Sequence, residues 1–395
     1  MNIRSTPVAA DLPPELRLLA ACCAHPVTGE SRRQVEDLAD RIGDWDEVSK
    51  AAQRHQVQGF VQNRLSGCEA VPDEIRNRWA NEARNRATFN LRQAGMTGKL
   101  HKLLNEHSIR NLVIKGLPLA AHVYGSLSIK RSADIDLLIE PQNAVRAVDL
   151  LARNGFVALE TGEPLTASQT ESVVRHFKEI TLVGDGNILI DLHWRLVEQS
   201  NLLRGIEPFA NARAISIENI GSISVLGEED EFAYLCTHGA LSDWSRLKWL
   251  ADVNAVIAER GDKEILALYE YAKGLGAGPS VLQALALRAL LWGTPLPQEL
   301  AQQFQSISDD HFVAYPIARM TMPYKPESSR DALRRIASQS RIRSTLYGSR
   351  AAAIRELTSH LRALPDVLAL PLPASLDWLY LPLRPVMWLD RKLRS

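Results

Sequence analysis

Hydrophobic spacing along the chain changes character twice. Up to about residue 107 the apolar positions recur every three or four residues. Pro13-Pro14 opens a run from Glu15 to Ala24, Trp45, Val48, Ala51 and Ala52 lead on to Val57, and a longer stretch extends from Asp73 through Leu104. This spacing predicts helices, the first of them started by proline in its opening turn. Beyond residue 108 short apolar runs alternate with helical segments. Leu112 to Ile114 end on Lys115-Gly116, a helix-like segment follows, and a second run from Asp134 to Ile139 carries two acids. Gln142 to Asn154 has helical spacing that stops at Gly155, a C-terminal cap. Glu179 to Val183 and Ile188 to His193 flank Gly184-Asp185-Gly186-Asn187, which predicts an antiparallel hairpin. From Glu228 the helical spacing returns through Phe232, Leu235 and Cys236, and again from Trp244 to Ile257. After Arg341, five prolines from Pro365 to Pro385 interrupt an apolar tail and exclude one long helix. The pattern predicts an α+β chain: a helical region 1–107, a mixed-sheet core 108–227, a helical domain 228–340, and a tail 341–395 docked on that domain.

The chemistry is concentrated in the core. A strand alternates its side chains, so Asp134 and Asp136 share one face while Ile135 and Leu137 take the other. Two like charges roughly 7 Å apart repel, and a divalent cation relieves the repulsion. Magnesium takes one or two protein carboxylates, with water and phosphate oxygens completing its shell, so Asp-x-Asp suits a nucleotide-phosphate site. The pair alone is equally a polar strand end facing solvent. Asp191 and His193 likewise share one strand face.

Composition narrows the partners. The chain carries 46 basic and 46 acidic residues in 395, a formal net charge of zero, so no global field draws it onto nucleic acid. The basic residues Arg76, Arg78, Arg84, Arg86 and Arg92 alternate with acids and read as a solvated helical face. Cys22, Cys23, Cys68 and Cys236 have neither zinc spacing nor a dense disulfide pattern. No secretory signal is seen and no apolar run approaches the ~18 residues that span a bilayer, so a cytoplasmic location is expected. The apolar tail, ending in Arg391, Lys392 and Arg394, fits either a peripheral membrane contact or a docking helix, and the docking helix is preferred.

The order apolar strand, Lys115-Gly116, helix with Tyr124, basic Lys130-Arg131, then Asp134-Ile135-Asp136-Leu137-Leu138-Ile139 resembles the DNA polymerase β-like nucleotidyltransferase superfamily. Within it, Asp191-Leu192-His193-Trp194 is similar to a signature of the bacterial family of uncharacterised nucleotidyltransferases. The resemblance implies a mixed sheet flanked by helices, with Asp134, Asp136 and Asp191 as catalytic residues and ligands of magnesium, or manganese. It implies transfer of a nucleoside monophosphate from a nucleoside triphosphate to a hydroxyl on a small molecule, glycan, peptide or protein. A non-catalytic nucleotide-binding or assembly subunit is the alternative. Lys115, Gly116, Arg131 and Lys248 are the expected nucleotide-binding residues, with Tyr124 and His193 supporting them. His238 is expected to hydrogen-bond Asp252. One departure stands out: the superfamily's Gly-Ser turn is Lys115-Gly116 here, while Gly125-Ser126 comes only after the helix. The acceptor and the oligomeric state are not determined by sequence.

Overall fold

A computed structural model describes residues 12–131, 133–307, 310–322, 329–359 and 362–394. Its N-terminal part is helical: α1 (Pro14–Cys22), α2 (Gly29–Ala39), α3 (Trp45–His55), α4 (Gln58–Arg64) and the 34-residue α5 (Asp73–Glu106), about 51 Å long. Local chemistry starts these helices. Proline occupies the first turn of α1, Thr28 and Ser31 form a reciprocal capping box on α2, and Asp44 accepts the Asp46 and Glu47 amides of α3.

The core follows as β1 (Asn111–Val113), α6 (Leu117–His122), β2 (Asp134–Ile139), α7 (Ala144–Arg153), β3 (Val157–Ala158), α8 (Ala167–His176), β4 (Glu179–Gly184), β5 (Ile188–His193), β6 (Arg213–Ile217) and β7 (Gly221–Val225). They build a seven-stranded sheet in the order β3-β4-β5-β2-β1-β7-β6. It is mixed: β2 runs parallel to β5 and β1 to β7, whereas β1–β2, β3–β4, β4–β5 and β6–β7 are antiparallel. The predicted hairpin joins β4 to β5, with Gly186 and Asn187 in the left-handed conformation its tight turn needs.

The two sheet faces differ in covering. Ile135, Leu137, Ile139, Ile180, Leu182, Ile190 and Leu192 pack with Ala94, Leu100 and Leu104 of α5, with α7 and with α8. The opposite face carries the acids. Its apolar members Leu112, Ile114 and Leu138 join a larger cluster that merges both helical regions. That cluster contains Leu18, Val48 and Phe60 from the N-terminal helices together with the C-terminal helices α9 (Glu228–Leu241), α10 (Leu247–Val256), α11 (Asp262–Gly274) and α12 (Gly278–Trp292). The N-terminal and C-terminal helices therefore share one core over the acidic face. The long α5 spans both cores, with Ile75 and Trp79 in one and Leu100 and Leu104 in the other.

Further helices are α13 (Gln298–Ile307), α14 (Asp310–Thr321), α15 (Ser329–Leu346), α16 (Arg350–Ser359), α17 (Leu364–Ala369) and α18 (Tyr380–Arg394). The tail divides. Arg343 of α15 donates to the Ala240 carbonyl of α9 at 3.0 Å. Its last part instead docks on α8 of the core. Gln169 Nε2 donates to the Leu368 carbonyl at 2.8 Å, Ser172 and Tyr380 share a hydrogen bond, and Asp377 meets Arg175 and His176. The prolines turn the chain away from the helical domain, and α8 offers the hydrogen-bonding groups that receive it.

Candidate active site

Strand register brings the acids together. In the parallel β2–β5 pair Asp136 lies opposite Asp191, and in the antiparallel β4–β5 pair Thr181 lies opposite Asp191 and Glu179 opposite His193. Side-chain alternation then places Asp134, Asp136, Asp191, His193, Glu179 and Thr181 on one face. Ligand-capable atoms of Asp136, Asp191 and His193 all lie within 4.8 Å of one another. Asp134 stands one step toward the start of β2 and borders a small cavity with Asp136, Lys115, Gly116 and Lys130.

Each carboxylate is held differently. Asp136 is fully buried, and its Oδ1 receives Lys115 Nζ at 2.6 Å and His193 Nε2 at 3.1 Å. Burial alone would raise its pKa. The Lys115 charge, followed by the His193 hydrogen bond and charge, outweighs burial and holds Asp136 well below the ordinary carboxylate range. Among the described residues both contacts fall on Oδ1, leaving Oδ2 for another partner. His193 Nδ1 lies 2.8 Å from Glu179 Oε2, so the ring bridges two carboxylates. Burial opposes protonation of His193, but the bonds to Asp136 and Glu179 win and raise its pKa. Among the described residues, Asp191 receives only the Thr181 hydroxyl, at 2.7 Å. Burial, then the nearby Asp136 charge, push its carboxyl up to about 6 despite that bond, with Asp134 and Glu179 adding to the rise.

This is excess negative charge on hard oxygen donors, and it fits a divalent cation such as magnesium. Imidazole would point to a different metal, yet both nitrogens of His193 face carboxylates and its pKa is raised. With both ring nitrogens facing carboxylates, His193 positions Asp136, and the carboxylates that could hold a cation are Asp136 and Asp191, with Asp134 on the same strand face.

The approach to β2 is built by α5. Asn90 Nδ2 donates to the Leu127 and Lys130 carbonyls, Gln93 Nε2 to the Ala133 carbonyl, and Arg86 Nε to the Ser128 carbonyl. Arg86 is thus a structural donor as well as part of a solvated face. Gly59 of α4 permits the same loop to pass close by, since a Cβ there would meet the Ile129 carbonyl oxygen at 2.1 Å. Gly116, at φ 77° and ψ −100°, makes the turn from β1 into α6 in a conformation that only glycine adopts without strain.

The other expected residues divide. Lys115 reaches the site, but its ammonium neutralises Asp136. Lys248 approaches from α10: burial, then repulsion from Lys130, bring its pKa down to about 8, while Asp134 pulls it upward. Tyr124 donates its hydroxyl to Asp252 at 3.0 Å, and Lys130 forms a buried ion pair with the same carboxylate. Of the basic pair it is therefore Lys130 that turns inward. Arg131 is exposed and stacks over Phe89 at 5.3 Å. The expected His238–Asp252 bond is replaced, because Lys130 and Tyr124 take Asp252 while His238 packs between the Tyr234 and Trp249 rings. Glu179 and Thr181 were not anticipated, although counting outward from the hairpin turn reaches both.

Tyr124 also walls a cavity of about 830 Å³ lined by Phe60, Trp79 and the arginines Arg64, Arg76, Arg84 and Arg86, with no carboxylate in its lining.

No curated protein matches the chain. A family model described as an uncharacterised nucleotidyltransferase matches residues 43–293, which include both acidic strands, the loop from α5 and the Lys248–Asp252 helix. Because the match spans well over half of its length, the chain belongs to this uncharacterised nucleotidyltransferase family.

Proposed function

We propose that the protein transfers a nucleoside monophosphate from a nucleoside triphosphate to a hydroxyl acceptor with release of pyrophosphate. The observation that carries this reading is the register of Asp136 against Asp191, with Asp134 on the same face. Magnesium or manganese held by Asp134, Asp136 and Asp191 would supply charge neutralisation for the attacking and leaving oxygens of an in-line displacement. The chain's own groups do the rest. Lys115 and His193 keep Asp136 ionised and oriented, and Glu179 fixes the His193 ring. Asp191 accepts the proton of the acceptor hydroxyl, directly or through a water. Lys248 offers a cation to the phosphates from the helical side, among the charges of Lys130, Lys115, Asp134 and Asp252. Gly116 lets backbone approach a phosphate without a side chain in the way.

The cavity walled by Tyr124 is the candidate acceptor site. Arginines without a carboxylate in the lining favour an anionic acceptor, and Phe60, Trp79 and Tyr124 favour one with an apolar or planar body.

The test is calorimetric titration of ATP, GTP, CTP and UTP with magnesium or manganese into wild type, Asp134→Ala and Asp191→Asn. Metal-dependent binding of at least one triphosphate, lost in both variants and on chelation, is expected. Failure of wild type to bind any triphosphate with either metal would overturn the reading.

A further inference from the structure

Helix α18 presents its apolar side outward. Tyr380 is 2% exposed, hydrogen-bonds Ser172 and the Leu370 carbonyl, and together with the Arg391–Asp366 ion pair defines the side that faces the body. At 100° per residue, Leu381, Pro382, Pro385, Val386, Trp388, Leu389 and Leu393 fall on an arc roughly 160° wide on the other side. These residues are in solvent: Val386 is 65% exposed, Trp388 54% and Leu393 78%, and Trp378 just before the helix is 63% exposed. An amphipathic helix normally buries such an arc against its own protein. Here the polar and aromatic side docks and the apolar side is left bare, a pattern that marks an interaction surface.

Charge identifies the occupant. The arc contains no carboxylate, and Lys392 lies within it, its ammonium 5.1 Å from the Trp388 ring centroid. By helical position Arg384 sits along one edge and Asp390 along the other, while Arg391 is turned to the body by its ion pair with Asp366. An anionic lipid surface meets this arrangement favourably, because lysine extends its ammonium to headgroups while its stem lies among apolar neighbours. Tryptophan is the side chain suited to that boundary. No helix among the described residues is long and apolar enough to cross a membrane, so the contact is interfacial.

We propose that α18 is an interfacial anchor that lays this arc into the surface of an anionic bilayer. The helix docks on α8 of the core, and the side that docks leaves its apolar residues outside. The proposal does not depend on the nucleotidyl chemistry.

The test is vesicle flotation of full-length wild type and Trp388→Glu/Leu389→Glu with phosphatidylcholine vesicles, alone and mixed with phosphatidylglycerol, at low and high salt. Both positions are exposed, so circular dichroism of the variant is expected to match wild type. Wild type floats with the anionic vesicles, less at high salt, and weakly with phosphatidylcholine alone. The double variant loses at least about tenfold in partitioning, since two apolar contacts are replaced by charges of the repelled sign. Wild type that stays with the soluble fraction, or a variant that floats equally well, would overturn the proposal. So would a concentration-dependent wild-type dimer that the variant dissolves without any vesicle binding, which would assign the face to a second copy.

Discussion

His55 makes the stability of this fold sensitive to acid. It ends α3, is 2% exposed, and its Nδ1 accepts the Leu247 amide at 3.1 Å, the first N–H of α10. That amide has no partner within its own helix, so His55 ties the N-terminal helices to the helix carrying Lys248 and Asp252. Burial, then the Arg54 charge, lower its pKa from 6.5 to about 4, with Arg246 adding to the fall and a bond to the Met320 backbone opposing it. A histidine depressed in the folded state favours folding fully above its unfolded pKa and loses that contribution as pH falls from about 6.5 toward 4. A shift of about 2.5 units at about 1.4 kcal/mol per unit corresponds to about 3 kcal/mol. The assay is urea unfolding, followed by circular dichroism at pH 7.5, 6, 5 and 4, of wild type and His55→Gln. Glutamine cannot take up the proton, so taking the difference at each pH removes every other titrating group. Relative to the variant, wild type should lose about 3 kcal/mol between pH 7.5 and 4, most of it below 6. A difference that stays constant within about 0.5 kcal/mol across that range would refute the linkage.

Two further outcomes follow from contacts around the site. Lys130→Met strands a buried Asp252 carboxylate and should cost about 3–5 kcal/mol in a thermal or chemical melt, whereas Lys130→Met/Asp252→Leu should recover much of it. His193→Gln leaves Lys115 on Asp136 but frees Glu179, so steady-state kinetics should show kcat lower by about 10–100-fold with a smaller change in KM for the triphosphate. Equal losses in both constants would mean that His193 acts on binding instead.

Much of this protein was legible in its residue pattern because the signals are local. Proline and capping residues start helices within a turn, Gly-Asp-Gly-Asn closes a hairpin, and period-two alternation puts Asp134 with Asp136 and Asp191 with His193. The α+β class and the mixed sheet follow from those elements. What pairing adds begins with neighbours in space. Glu179 and Thr181 enter the site only through the register of β4 on β5, and Asp136 meets Asp191 only because two strands more than fifty residues apart run parallel.

Choices among similar side chains depended wholly on tertiary structure. Arg131 has the better phosphate-binding fork, yet Lys130 turns inward because α10 brings Asp252 to it and Phe89 waits for Arg131. His238 lost Asp252 to Lys130 and Tyr124, since an unshared buried charge is satisfied first by the opposite charge. The amphipathic pattern of the tail was visible in sequence, but hydrophobic periodicity says only that a helix has two sides. Which side meets the protein is decided by the hydrogen-bonding groups of α8. By itself the sequence determined the elements and the acids they carry, because backbone preference and alternation act over a few residues. The partner of each charge and the exposed side of α18 were decided by long-range packing, where burial selects whichever contacts satisfy it.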